Sequence, residues 1–285
     1  MNDPLTLSSA TAAFYSSHPS LEDRRLKLHR IEFEVTLRTI LDILTATERA
    51  KVLDVGGATG TYSFPLAAKG HDVTLVDLSP GLISVAASRA EEDPDGPRPS
   101  RIMVGDALSL DTLLPGEEGT FDVVLLLGPL YHIMSPELRE RAIRQAWRMV
   151  AQGGSLFCAW VSRWAHYRDL AMREPQRLFR RKDFYAKHAQ NGDYVRTDED
   201  NVPIHAMHHE IPSQMPIILR RVTGVQNVKM VGAEGILAGN LDKPVNDLEG
   251  EEFEAWVHKC MDIGHDENEW MMSDHIIGIA QKASQ

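Results

Sequence analysis

Residues 51–64 read KVLDVGGATGTYSF. An apolar run is followed at once by Gly56, Gly57 and Gly60, and then by a helically spaced apolar stretch. Few folds use a glycine-rich turn between a buried strand and a helix. Glycine there lets a ligand approach the backbone, and in an open parallel sheet that turn lies at the crevice outside the carboxyl ends of the strands.

The chain downstream repeats the alternation. DVTLVD is a second strand, and Ser79 to Glu91 a helix with Ser79 as N-cap and Pro80 at its first position. RIMVGD and FDVVLLL are strands three and four. Pro136 to Val150 is a helix, and the pair Gly153-Gly154 turns it into a fifth strand, SLFCAWV. Strands alternating with helices in this way predict an α/β, doubly wound, Rossmann-like sheet, mostly parallel. After Ser162 the pattern breaks into a charged, histidine-rich stretch with helical pieces. Sheet character returns at Val225–Gly232 and at Asp274–Lys282. An acidic segment with a helix at Glu249–Ile263 lies between them. Leu21–Thr45 reads as an amphipathic helix. The whole predicts one domain on seven strands: an N-terminal helical lid (1–46), a core (47–162), a cap (163–224), and C-terminal strands with an acidic insertion (225–285).

Two ligands compete for the glycines. A dinucleotide wants G-x-G-x-x-G with its pyrophosphate on a helix N-terminus. Neither Gly56 nor Gly57 starts that pattern, and Asp54, just ahead, would repel a pyrophosphate. A carboxylate there suits an ammonium or a sulfonium. With these residues, the chain resembles the class I S-adenosylmethionine-dependent methyltransferases. LDVGGATG fits the first motif, with Ala58 in place of the usual middle glycine. LVDLS fits the second, VGDAL the third, FDVVLLLGPLYHI the fourth, and WRMVAQGGSLF the usual entry to strand five. HRIEFEVTLRTIL and LLGPLYHI look like a bacterial subgroup acting on small molecules.

The resemblance implies S-adenosylmethionine as cofactor. Asp54, Gly56, Gly57 and Gly60 would form its first wall. Asp77 would take the ribose hydroxyls, with Leu78 beside the adenine, Asp106 toward the adenine amino group and Ala107 next to it. Leu127 ends the fourth strand at the same crevice, and Tyr15 would close over the cofactor. His132 would face the transferable methyl as a base, with Tyr131, His208 and His209 lining the acceptor. Plainer readings stand beside these: Asp77 as a helix-side cap, Asp106 as a loop acid, Tyr15 and Tyr131 as packing, His132 as a structural histidine. His205, His208 and His209 would share one face of a helix, but Pro203 and Pro212 argue against a long one, and methyl transfer needs no metal.

The net charge of −11 opposes a nucleic-acid partner. Charge is uneven: residues 232–285 hold twelve acids and three bases, and 163–187 eight bases and three acids. Cys158 and Cys260 are not spaced as a metal knuckle or redox pair and read as reduced thiols of a cytoplasmic protein. The N-terminus lacks a signal-peptide pattern, and no run of apolar residues is long enough to span a membrane. The reading is therefore a methyltransferase with a small-molecule acceptor, with no metal, nucleic acid or membrane partner. A protein that binds the cofactor without methylating and a nicotinamide oxidoreductase are the alternatives.

Overall fold

A computed structural model describes residues 4–18, 28–45, 47–199 and 202–284. In chain order these form α1 (Pro4–Ser17), α2 (Arg30–Leu44), β1 (Lys51–Val55), α3 (Ser63–Ala68), β2 (Asp72–Asp77), α4 (Pro80–Glu92), β3 (Arg101–Val104), α5 (Leu110–Leu113), β4 (Phe121–Leu126), α6 (Pro136–Met149) and β5 (Val150–Ser162). They continue as α7 (Arg163–Arg173), α8 (Arg177–Arg180), α9 (Lys182–Asn191), β6 (Asp193–Thr197), β7 (Pro203–Glu210), α10 (Met215–Thr223), β8 (Lys229–Gly232), α11 (Lys243–Asn246), α12 (Gly250–Gly264) and β9 (His275–Gln281). Part of the helix expected over Leu21–Thr45 lies outside the described residues; α2 is its described part.

β3-β2-β1-β4-β5 run parallel, β9 is antiparallel to β5, and β8 is antiparallel to β9. That is the expected seven-stranded, doubly wound sheet. The central strands β1, β2 and β4 are buried on both faces, and successive residues serve opposite layers. On β4, Val124 and Leu126 join the core under α6, whereas Val123 and Leu125 join the one under α2 and α12. Ser79 caps α4, accepting from the Leu82 amide at 3.3 Å, with Pro80 at the first helical position as expected.

Two more strands follow from the length of β5. Its last partner on β4 is Cys158, opposite Leu126, yet β5 continues to Ser162. β9 covers its other edge as far as Val161. The edge beyond β4 would expose unpaired backbone, and β7 fills it through Val161–His209 and Ser162–Glu210. β6 completes a hairpin with β7. The cap expected to be helical thus carries a hairpin that extends the sheet over the carboxyl ends of the strands.

The expected cap boundary at residue 224 falls past a core helix. Met215 and Leu219 of α10 are fully buried in the same cluster as Trp160, Ile276 and Ala280. The layer over the strand ends is α7 to β7. Among the described residues no helix is long and apolar enough to cross a membrane. Cys158 and Cys260 are buried and unbridged.

Candidate active site

The loop leaving β1 is held from both sides. The Gly56 amide donates to the Val76 carbonyl at 2.7 Å. Gly56 has φ +72, and a Cβ would lie 2.5 Å from Pro129 Cδ, so a side chain is excluded on both counts. Ala58 also lies in the left-handed region, at φ +52, which favours the glycine usual there. Its amide donates to Asp77 Oδ2 at 2.9 Å, and Asp77 Oδ1 accepts from the Ser79 amide at 2.8 Å. The acid ending β2 therefore fixes the glycine loop and the start of α4 together.

Asp54 is fully buried and accepts from the Ser63 hydroxyl at 2.6 Å. Burial raises its pKa from 3.8 to about 6, against the opposing pull of Ser63. A Cβ on Gly57 would stand 2.5 Å from Asp54 Oδ2, so this glycine leaves room for the carboxylate. Asp106 Oδ1 accepts from the Leu108 amide at 2.9 Å, an Asx turn that orients it.

These groups converge. A cleft of about 220 Å³ is lined by Gly56, Asp77, Leu78, Asp106 and Ala107 from the strand ends, by Tyr131 and His132 from the turn after β4, and by Tyr15 from α1. A smaller cavity of about 60 Å³ is lined by Asp54, Gly57 and Leu127, and shares Gly56, Ala58, Gly128 and Tyr131 with the cleft. Of the ten expected cofactor residues, Gly60 alone lines neither. Its φ of +86 serves the turn into α3, against Phe64. Sequence reasoning missed Thr11 and Ser79 on the cleft and Glu32 and Thr36 on the smaller cavity. Glu32 carried a signal, as an acid on the apolar stripe of α2 beside buried Ile31 and Val35.

α1 lies across the cleft. Ser16 Oγ bonds Ser79 Oγ at 2.7 Å, and Thr11 Oγ accepts from the Ala206 amide of β7 at 3.1 Å. His132 sits between lid and cap. Its Nδ1 is 3.0 Å from the Ala206 carbonyl, which can only accept, so Nδ1 carries the proton. Nε2 then accepts from the Tyr15 hydroxyl at 3.3 Å. Both nitrogens are engaged, which is a different arrangement from a base turned toward an acceptor.

HAMHHE is a strand, so its side chains alternate and His205, His208 and His209 do not share one helical face. His205 packs its ring against Tyr15 and His132. His208 bonds Asp193 at 2.8 Å and Glu210 at 3.2 Å, and lines neither of these cavities. In the strand it is hydrogen-bonded to these two carboxylates. His209 lines a further cavity, of about 470 Å³, beneath the cap.

A doubly wound sheet with an acid-and-glycine cleft at the carboxyl ends of β1, β2 and β3 defines a Rossmann-like nucleoside-binding class. Residues 52–154 match the family described as "Methyltransferase domain". A demethylmenaquinone methyltransferase of Renibacterium salmoninarum is 33% identical over 122 residues, 43% of this chain and 46% of that protein. A ubiquinone biosynthesis O-methyltransferase of Xanthomonas oryzae is 33% identical over 115 residues, 40% of this chain and 44% of that one. The matched stretch thus spans less than half of these relatives. Among solved structures, an S-adenosylmethionine-dependent methyltransferase of Thermotoga maritima superposes with TM-score 0.58 at 15% identity, over 95% of this chain and 99% of that one. Magnesium protoporphyrin IX methyltransferase of Synechocystis gives 0.57 at 16%, over 97% and 100%. These two show the shared fold. Over residues 52–154 this chain is thus similar to methyltransferase domains, and it shares the fold of S-adenosylmethionine-dependent methyltransferases.

Proposed function

We propose that the chain transfers a methyl group from S-adenosylmethionine to a small-molecule acceptor. The observation that carries this is the convergence of Asp54, Asp77 and Asp106, each at a strand's carboxyl end, on two adjoining cavities, the larger of them under α1. The larger cleft fits a nucleoside: Asp77 offers carboxylate oxygens to vicinal hydroxyls, Asp106 accepts from an exocyclic amine, and Leu78 and Ala107 give apolar contact. The smaller cavity fits the amino-acid end, with buried Asp54 as counter-ion to an ammonium. The bound cofactor supplies a methyl on a sulfonium, already a good leaving group. The chain's share is then to orient, to exclude water and to hold the lid shut.

A nicotinamide reading is opposed by the same acid, which would stand near a pyrophosphate. Excess S-adenosylmethionine or its demethylated product should raise the melting temperature by several degrees, because ligand at 100 times Kd adds about 2.7 kcal/mol. NADH at equal concentration should leave it unchanged. A shift with NADH alone would refute the proposal.

His132 acts here as the latch between Tyr15 of the lid and Ala206 of the cap. His132→Ala should weaken cofactor binding about tenfold, or 1.4 kcal/mol, and speed proteolysis within α1. A turnover loss of about 10²–10⁴ with unchanged cofactor affinity would instead restore its expected part as a base.

The quinone-precursor acceptors named for the relatives do not carry over, since the family match ends at residue 154, before the cap. The net charge of −11 supports a small acceptor over nucleic acid. We place the protein in the cytoplasm on its two unbridged, buried thiols.

A further inference from the structure

The largest of the cavities described, about 470 Å³, lies between the cap and the start of β9. On the cap side it is walled by His166, Tyr185, Tyr194 and His209. The rings are close: His166 is 5.0 Å from Tyr194, 5.8 Å from Tyr185 and 5.2 Å from His209, centroid to centroid. Two polar atoms of this wall, His166 Nε2 and the Tyr185 hydroxyl, are buried with no hydrogen-bond partner among the described residues. Tyr185 is only 3% exposed. Buried polar atoms are nearly always paired, so two orphans on one cavity wall mark a place where a ligand completes the bonding.

The wall also says what kind of ligand. Burial lowers the His166 and His209 pKa values and raises that of Tyr185, so all three are neutral near pH 7. They match a hydroxyl or a carbonyl. The rings are tilted 28°, 46° and 31° from His166 to Tyr185, Tyr194 and His209, and form an aromatic wall. Across the cavity stand Glu234, Asp242 and Asp274, the first two buried. Arg173 and Arg177 also reach the cavity, but acids outnumber them, and an anion would be repelled.

One residue links this cavity to the site described above. His275 lines it and also lines the smaller cavity beside Asp54 and Leu127, so the two adjoin at that residue. Glu234 takes the His275 Nδ1 bond, and Glu32 lies 3.4 Å from the same nitrogen, which fixes the ring at the junction.

Resting on the methyltransferase reading above, we propose that this cavity holds the acceptor. The acceptor is an uncharged, oxygen-bearing ring compound, bonded through a hydroxyl or carbonyl to His166 Nε2 and Tyr185 Oη, with its reacting edge toward His275. His166 and Tyr185 are specificity-determining residues.

The test uses the full chain saturated with S-adenosylhomocysteine, with 4-hydroxybenzamide and 4-hydroxybenzoate as probes, followed by saturation-transfer NMR. The two probes differ mainly in charge. The amide should bind at least tenfold more tightly than the carboxylate. Tyr185→Phe and His166→Phe should each weaken the amide at least fivefold. Neither should change S-adenosylhomocysteine affinity or lower the melting temperature, because neither atom has a hydrogen-bond partner among the described residues. A carboxylate bound as well as the amide, an amide that does not bind, variants that bind it normally, or variants that lose stability would each overturn the assignment. Failure of wild-type chain to bind S-adenosylhomocysteine would instead overturn the methyltransferase reading.

Discussion

Asp77→Ala should cost S-adenosylhomocysteine about 1–3 kcal/mol of binding energy, a loss of roughly 5- to 150-fold. The carboxylate is expected to serve the ribose hydroxyls, and it already holds two backbone amides. Ala58 donates to one oxygen and Ser79 to the other. Removing it leaves both amides without that acceptor and frees a loop whose Ala58 is already in a strained conformation. The melting temperature should therefore fall along with affinity. Asp77→Asn keeps only one oxygen acceptor for two amide donors and should fall between. Titration calorimetry reads the affinity and calorimetric melting the stability. Unchanged affinity in a folded Asp77→Ala protein would remove this residue from the cofactor site.

The second large effect concerns the cap. Replacing residues 163–210 by a short linker should abolish methyl transfer while cofactor affinity stays within about tenfold, or 1.4 kcal/mol. The excision removes the 470 Å³ cavity's cap wall and the Ala206 anchor of His132. It spares the acids at the ends of β1, β2 and β3. Carrying the cut on to residue 224 should unfold the protein. Met215 and Leu219 are both completely buried, and losing such a side chain costs about 2–5 kcal/mol each. Turnover measured beside circular dichroism separates the two cuts. Transfer that survives the shorter cut would place the acceptor elsewhere.

The strands of the core were legible because each is a continuous apolar run closed by glycine or an acid, a pattern that parallel strands impose on themselves. The cofactor-side residues followed, since strand ends in such a sheet point at one crevice. Asp54 stood out as an acid ahead of the glycines, and the resemblance of their motifs marked Asp77 and Asp106. α1 was harder to read: PLTLSSATAAFYSS has no charged face and therefore no amphipathic stripe. HAMHHE misled because histidine and methionine carry weak strand preference, and β7 takes its form from pairing with β6 and with the overhanging edge of β5. His132 sat at the right turn, but its partners Tyr15 and Ala206 lie 117 and 74 residues away. The junction of Glu32, Glu234 and His275 draws on α2, the turn after β8 and the first residue of β9. No local spacing could announce it. His166 and Tyr185 were equally silent, because they stand out only by lacking hydrogen-bond partners among the described residues.

Asp54 gives the most direct measurement of the account. With its folded pKa raised to about 6 from 3.8, the unfolded chain gives up this proton first. Its contribution to stability is therefore present at low pH and declines as pH rises through that window. An ammonium seated beside it favours the charged form and lowers the pKa again, so binding at pH 6 must expel a proton. Calorimetric titration of S-adenosylhomocysteine, in two buffers of different ionisation heat, should show release of roughly half a proton at pH 6 and almost none at pH 8. NADH should give no heat at either pH. Heat from NADH, with none from S-adenosylhomocysteine, would contradict the account at its centre.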